Sequence, residues 1–168
     1  MWCLTHFRQG IMLTKPPLHL ESKTEDKVPS LVTQLSYAGL IPFVALAPAI
    51  WIADKEVSAL ASFALVGYGA SITSFLGAIH WGLAMRETHQ QRKASYIWGV
   101  IPSLIAWLAL LQRPAFGLIL LTLLLWICYA IDRATYTRYL LRSWLGMRLR
   151  LTVVASVSCV GGAIGLLR

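Results

Sequence analysis

The sequence predicts an all-α membrane protein, a polytopic bundle of five transmembrane helices. Hydrophobic residues make up 57% of the 168 positions and charged residues 13%, against roughly 45–50% and 25% in soluble chains. Five uncharged apolar runs follow one another after Ser30, and roughly 20 apolar residues cross the hydrocarbon core of a bilayer. The charges between the runs also sort by side, as membrane loops do.

Residues 1–30 form the one sizeable polar segment. They mix acidic and basic residues, carry Pro16, Pro17 and Pro29, and show no sustained period, so a flexible tail is expected. The apolar stretch Gly10 to Leu13 is too short for the core of a secretory signal. Residues 31–168 are expected to hold the five-helix domain. The first span covers 31–53 and contains Pro42 and Pro48. The second covers 57–85, longer than a crossing requires, so it must tilt or extend past the membrane. The third covers 94–112 with Pro102 inside it. The fourth covers 114–131, with Pro114 well placed as its first helical residue. The fifth covers 151–167. Spans one and two are joined only by Asp54, Lys55 and Glu56, and spans three and four only by Arg113, so each pair must be an antiparallel hairpin.

Between spans four and five, residues 133–150 place Arg138 and Arg142 one turn apart, with Tyr136, Leu140 and Trp144 as a second stripe at the same spacing. That pattern predicts an interfacial amphipathic helix. The plainer alternative is that the arginines only pin the ends of the spans.

The net charge of +8 invites a nucleic-acid reading, but its distribution has a membrane cause. Arg8, Lys15, Lys23 and Lys27 precede span one; Arg86, Arg92 and Lys93 join spans two and three; Arg133, Arg138, Arg142, Arg148 and Arg150 join spans four and five. Only Lys55, Arg113 and Arg168 fall on the other side. Cytoplasmic loops carry the excess of Lys and Arg, so the N-terminus is expected inside and the C-terminus outside. Tyr37, Trp81, Tyr96, Trp98, Tyr129 and Trp144 fall near the same inner boundary and Trp51 near the outer one, as interfacial aromatics do. No basic patch with stacking aromatics is left over, which excludes nucleic acid as a partner.

Span two carries the most information. Ala70, Ser74, Ala78 and Gly82 recur every four residues, with Gly69, Thr73 and Gly77 in a parallel row. Small residues at this spacing let helix backbones approach in lipid, where association depends on packing. His80 follows one turn after Gly77. An ionisable group inside a membrane span is a functional-site candidate, although a histidine this near Arg86 can equally be structural. Asp132 ends span four on the same side, and a carboxylate at the edge of the hydrocarbon is costly unless paired. The expected polar cluster is therefore His80, Asp132, Arg148, Arg150 and Arg86, with Asp132 paired to Arg148 or Arg150. As a clasp it would fix helix register; as a site it would hold a proton or a ligand.

Catalytic and metal signatures are absent from the sequence: there is no HExxH, glycine-rich phosphate loop or GxSxG elbow. His6, His19 and His89 lack metal-ligand spacing. Ser74 lies six residues from His80, almost on the opposite side of a helix, so the two cannot form a hydrolase pair. Cys3, Cys128 and Cys159 form no CxxC, and the two within spans read as small buried hydrophobes. No metal, cofactor or enzymatic activity is expected.

Several blocks resemble a known family. The most specific is Gly77 to Gly82, G-A-I-H-W-G, within the longer stretch from Tyr68 to Met85. Gly39 to Phe43 (G-L-I-P-F), Ile101 to Trp107 (I-P-S-L-I-A-W), Asp132-Arg133 and Leu149 to Thr152 (L-R-L-T) support it. These blocks are similar to the uncharacterised bacterial and mitochondrial family called domain of unknown function 3429, the transmembrane protein 69-like proteins. The chain departs from the family pattern at Ser143, Trp144 and Leu145, where a proline and a Trp-Tyr pair are expected. The resemblance implies a small inner-membrane protein and supplies no catalytic residues. The resulting expectation is a non-enzymatic accessory or assembly factor in a bacterial inner (plasma) membrane, binding the lipid bilayer and other membrane proteins or itself. The alternatives are a small oligomeric transporter or channel using His80, and a mitochondrial inner-membrane location.

Overall fold

In the computed structural model, residues 29–86, 92–136 and 142–168 are described. Expectations about residues 1–28, including Cys3, His6 and His19, and about His89 lie outside them. Every described element is an α-helix: α1 (Ser30–Ala38), α2 (Ile41–Ile52), α3 (Lys55–Arg86), α4 (Arg92–Leu110), α5 (Pro114–Tyr136) and α6 (Arg142–Leu166). Five stretches are long and apolar enough to cross a membrane: Ser30–Ile52, Lys55–Met85, Lys93–Leu110, Pro114–Tyr136 and Ser143–Leu166.

The first span is a broken helix, α1 followed by α2. Pro42 has no N–H to give to the carbonyl of Ala38. The chain tightens at that point, with Leu40 N–H donating to the Tyr37 carbonyl. The Tyr68 hydroxyl donates to the Gly39 carbonyl at 2.7 Å, from α3. Pro48 and Pro102, by contrast, sit inside continuous helices. The corner between α2 and α3 is two residues long. Asp54 caps α3, its Oδ1 accepting from Val57 N–H at 2.9 Å, and Ser58 Oγ donates back to the Ile50 carbonyl at 3.0 Å. A side-chain acceptor here satisfies an N–H that the first turn leaves orphaned.

The last two helices invade the region expected to hold an interfacial helix. α5 runs on through Asp132 to Tyr136, and α6 starts at Arg142. Residues 142–150 are thus the opening turns of a membrane helix and not a separate surface element, while 137–141 lie outside the described residues. The physical reason is pairing: Asp132 and Arg148 neutralise each other inside the bundle (below), so neither charge need end a span.

α2 to α6 close a ring in which each helix packs on the next and α6 returns to α2, while α3 also crosses the middle to touch α5. Phe43, Leu65, Leu118, Leu121, Leu124 and Leu125 fill the centre. The outside is equally apolar: Leu60, Phe63 and Val157 are each more than 60% exposed. A surface of this kind suits lipid and would aggregate in water. α1 stands apart, with no buried residue.

α3 and α4 pack backbone to backbone. A Cβ added to Gly77 would lie 2.5 Å from the Gly99 carbonyl oxygen, and one added to Gly99 would collide with the Trp81 ring. At the far end the pair Gly161 and Gly165 receives a side chain instead of a helix. The Trp51 indole donates to the Gly161 carbonyl at 2.9 Å and fills the space beside Gly165, with the Arg168 guanidinium 4.5 Å above its ring.

The small-residue rows of span two part company. Gly69, Thr73 and Gly77 are buried along α3. In the other row Ala70 is buried and Ser74 half-buried, but Ala78 is exposed and Gly82 has open space around it. Of the residues expected to pack on a neighbouring helix, Ala78 and Gly82 therefore do not. A strict four-residue repeat drifts by about 40° per step on a helix of 3.6 residues per turn. Three steps carry Ala70's row out of the interface. The buried row corrects the drift with a three-residue step from Gly77 to His80.

Candidate functional site

His80 arrives at the basic end of the bundle by that step, and the helix interior around it leaves it 3% exposed. Asp132 comes from the last turns of α5, one turn after the buried Cys128, and is 1% exposed. Arg148 comes from the second turn of α6 and is 9% exposed. The structure brings these three together. The His80 Nε2 is 2.9 Å from Asp132 Oδ1, and Arg148 Nε donates to Asp132 Oδ2 at 2.7 Å. A carboxylate only accepts, so this geometry requires the His80 Nε2 to carry the proton. One carboxylate thereby ties α3, α5 and α6.

Arg150 is exposed and stands outside the trio. Two residues along a helix turn the side chain by about 200°, so only one of Arg148 and Arg150 can face inward. Arg148 shares its face with the buried Thr152, Ala155 and Ser156. Arg86 ends α3, and its side chain lies outside the described residues.

Two features of the site were not singled out in the sequence. Trp98 of α4 stands edge-on to the His80 ring, with centroids 6.4 Å apart and planes at 89°; its Nε1 is buried without a partner. Only the rotation of α4 against α3 decides this contact, and no spacing reveals it. Thr152 and Ser156 carry buried hydroxyls without partners, as does Arg148 at Nη2. Here a signal existed: Arg148, Thr152 and Ser156 recur every four residues, a polar stripe along one face of a largely apolar span.

The chemistry available is hydrogen bonding and charge neutralisation. Arg148 and Asp132 cancel in charge and His80 donates a further hydrogen bond to the same carboxylate. Ser74 Oγ, the nearest hydroxyl along α3 that could suggest a nucleophile, donates to its own helix at the Ala70 carbonyl. Among the described residues no three His, Cys, Asp or Glu side chains gather at metal-binding range.

The family model described as Protein of unknown function (DUF3429) matches residues 28–164. Transmembrane protein 69 of Xenopus tropicalis is 37% identical over 152 residues, covering 88% of this chain and 59% of the frog protein. Transmembrane protein 69 of Mus musculus is 29% identical over 136 residues, covering 79% of this chain and 55% of the mouse protein. The chain thus spans a little over half the length of these relatives. No solved structure matches. These similarities correct one expectation. Charge sorting and the family resemblance, on which the expected bacterial inner membrane rests, do not distinguish kingdoms, whereas the frog and mouse relatives point to a eukaryotic membrane.

Proposed function

Since the chain belongs to the DUF3429 family of membrane proteins of unknown function, we propose that it works as a non-enzymatic accessory factor that binds other membrane proteins. One observation carries this reading: the three buried ionisable side chains are turned on one another, and the centre of the bundle beyond them is packed with leucines. His80, Asp132 and Arg148 hold each other at one end. Beyond them, Leu65, Leu118, Leu121, Leu124 and Leu125 are each at most 2% exposed. A solute or ion path is lined by polar groups or water, and this interior weighs against one through a single copy of the bundle. The trio then acts as a clasp that holds three helices in register, leaving the apolar exterior to meet lipid and partner helices.

Purification in mild detergent after chemical cross-linking tests the proposal. A partner recovered in fixed proportion is expected, and a strictly monomeric protein with no reproducible partner overturns it. His80→Gln keeps a donor for Asp132, so its fold and partner recovery should match the parent. A well-folded His80→Gln protein that loses its partner would assign the histidine a direct role in place of the clasp.

A further inference from the structure

A groove of about 580 Å³ opens between α1 and the faces of α3 and α6, with α5 at its base. Its size falls within the roughly 300–1,000 Å³ of small-molecule sites. Its walls are apolar almost throughout, and Leu35 and Phe75 at its lining are more than 60% exposed, so it opens on the lipid-facing side. A few polar side chains, Ser36 and Tyr136 among them, interrupt these walls. Arg148 and Thr152 both line the groove, and both hold buried polar atoms without partners, Nη2 and Oγ1. Arg148 commits its Nε to Asp132 and keeps this second donor unused.

We propose that this groove binds one glycerophospholipid, with an acyl chain along its apolar length and its phosphate at the basic end, where a shift of the lining side chains lets an oxygen accept from Arg148 Nη2 and Thr152 Oγ1, both covered as the groove stands. An orphaned buried donor costs free energy until it meets an acceptor. A phospholipid head offers several acceptors for the guanidinium donor that Asp132 leaves unused. Depth fits as well. Arg148 lies six residues inside the start of α6, about 9 Å along its axis, close to where hydrocarbon gives way to headgroups. An incoming helix suits the groove less well, since its backbone acceptors are already used within the helix. The proposal does not depend on the accessory function.

The test is native mass spectrometry of the full chain, delipidated and then titrated with dioleoyl phosphatidylglycerol or, separately, dioleoylglycerol. One phosphatidylglycerol per protein is expected, with dioleoylglycerol retained at least tenfold less. Ser36→Trp fills the groove from α1, a helix with no buried residue, and should abolish retention. Thr152→Val removes a hydroxyl that no protein group uses and should weaken retention about two- to tenfold while leaving the helical signal unchanged. Should Ser36→Trp fail to fold, Thr152→Val decides alone. Absent retention, retention unchanged in both variants, equal retention of dioleoylglycerol, or a second copy of the chain found occupying the groove overturns the proposal.

Discussion

Asp132 presents one carboxylate oxygen to α3 and the other to α6, so its removal strands a cation in the interior. Breaking a buried pair from one side costs about 3–5 kcal/mol, whereas replacing both partners with apolar residues of similar size is often neutral or stabilising. Asp132→Ala should accordingly lower stability in detergent by about that amount. The double variant Asp132→Leu with Arg148→Met should recover most of the loss. Melting of the three proteins side by side checks this, and a double variant no better than the single one would refute the clasp. Much of this meeting was legible in the sequence, because a buried carboxylate needs a cation and few were within reach. What was not legible is rotation. Arg148 and Arg150 are equivalent in sequence, and only the burial of the face with Thr152 and Ala155 separates them. In the sequence Trp98 is one interfacial aromatic among several, and only the rotation of α4 turns it toward His80.

At the scale of the helix, α3 and α4 approach so closely that their contact depends on two hydrogens where side chains would otherwise be. Gly77→Ala would drive a methyl group into the Gly99 backbone, which cannot move aside as a flexible side chain can. Overpacking of this sort costs roughly 1–3 kcal/mol. Gly82→Ala, on the same helix but in open space, should leave melting unchanged or raise it slightly, since alanine is the better helix former. Equal losses at both positions would deny the asymmetry of the two rows. The break between α1 and α2 offers a milder check. Tyr68→Phe removes the hydrogen bond to the Gly39 carbonyl and should cost about 0.5–1.5 kcal/mol. The spans themselves were legible because uncharged runs are long and the corners at Asp54 and Arg113 are short. Their ends were less so. A charge in sequence reads as a loop, yet Asp132 and Arg148 lie inside helices because each removes the other's reason to reach water.

For the whole molecule, five crossings place the corner at Lys55 and the corner at Arg113 on one face of the bilayer and Lys93 on the other. All three residues are exposed. Single cysteines at positions 55 and 113 should therefore react with a membrane-impermeant thiol reagent from the same side, and a cysteine at 93 only from the opposite side. Any other pairing contradicts the five-span bundle. The five crossings are also unequal in length. α3 has 32 residues, about 48 Å of rise, but the stretch Lys93–Leu110 has 18, about 27 Å. A long helix meets a thin bilayer by leaning, whereas a short one bounded by Lys93 and Arg113 has no such freedom. α4, held against α3 at Gly77 and Gly99, is therefore the crossing expected to set the bilayer thickness that the bundle prefers. In vesicles of graded acyl length the protein should be most stable where the hydrocarbon layer is near 27 Å, and thicker bilayers should pull at the charged ends of α4 with an elastic cost of fractions of a kcal/mol per Å.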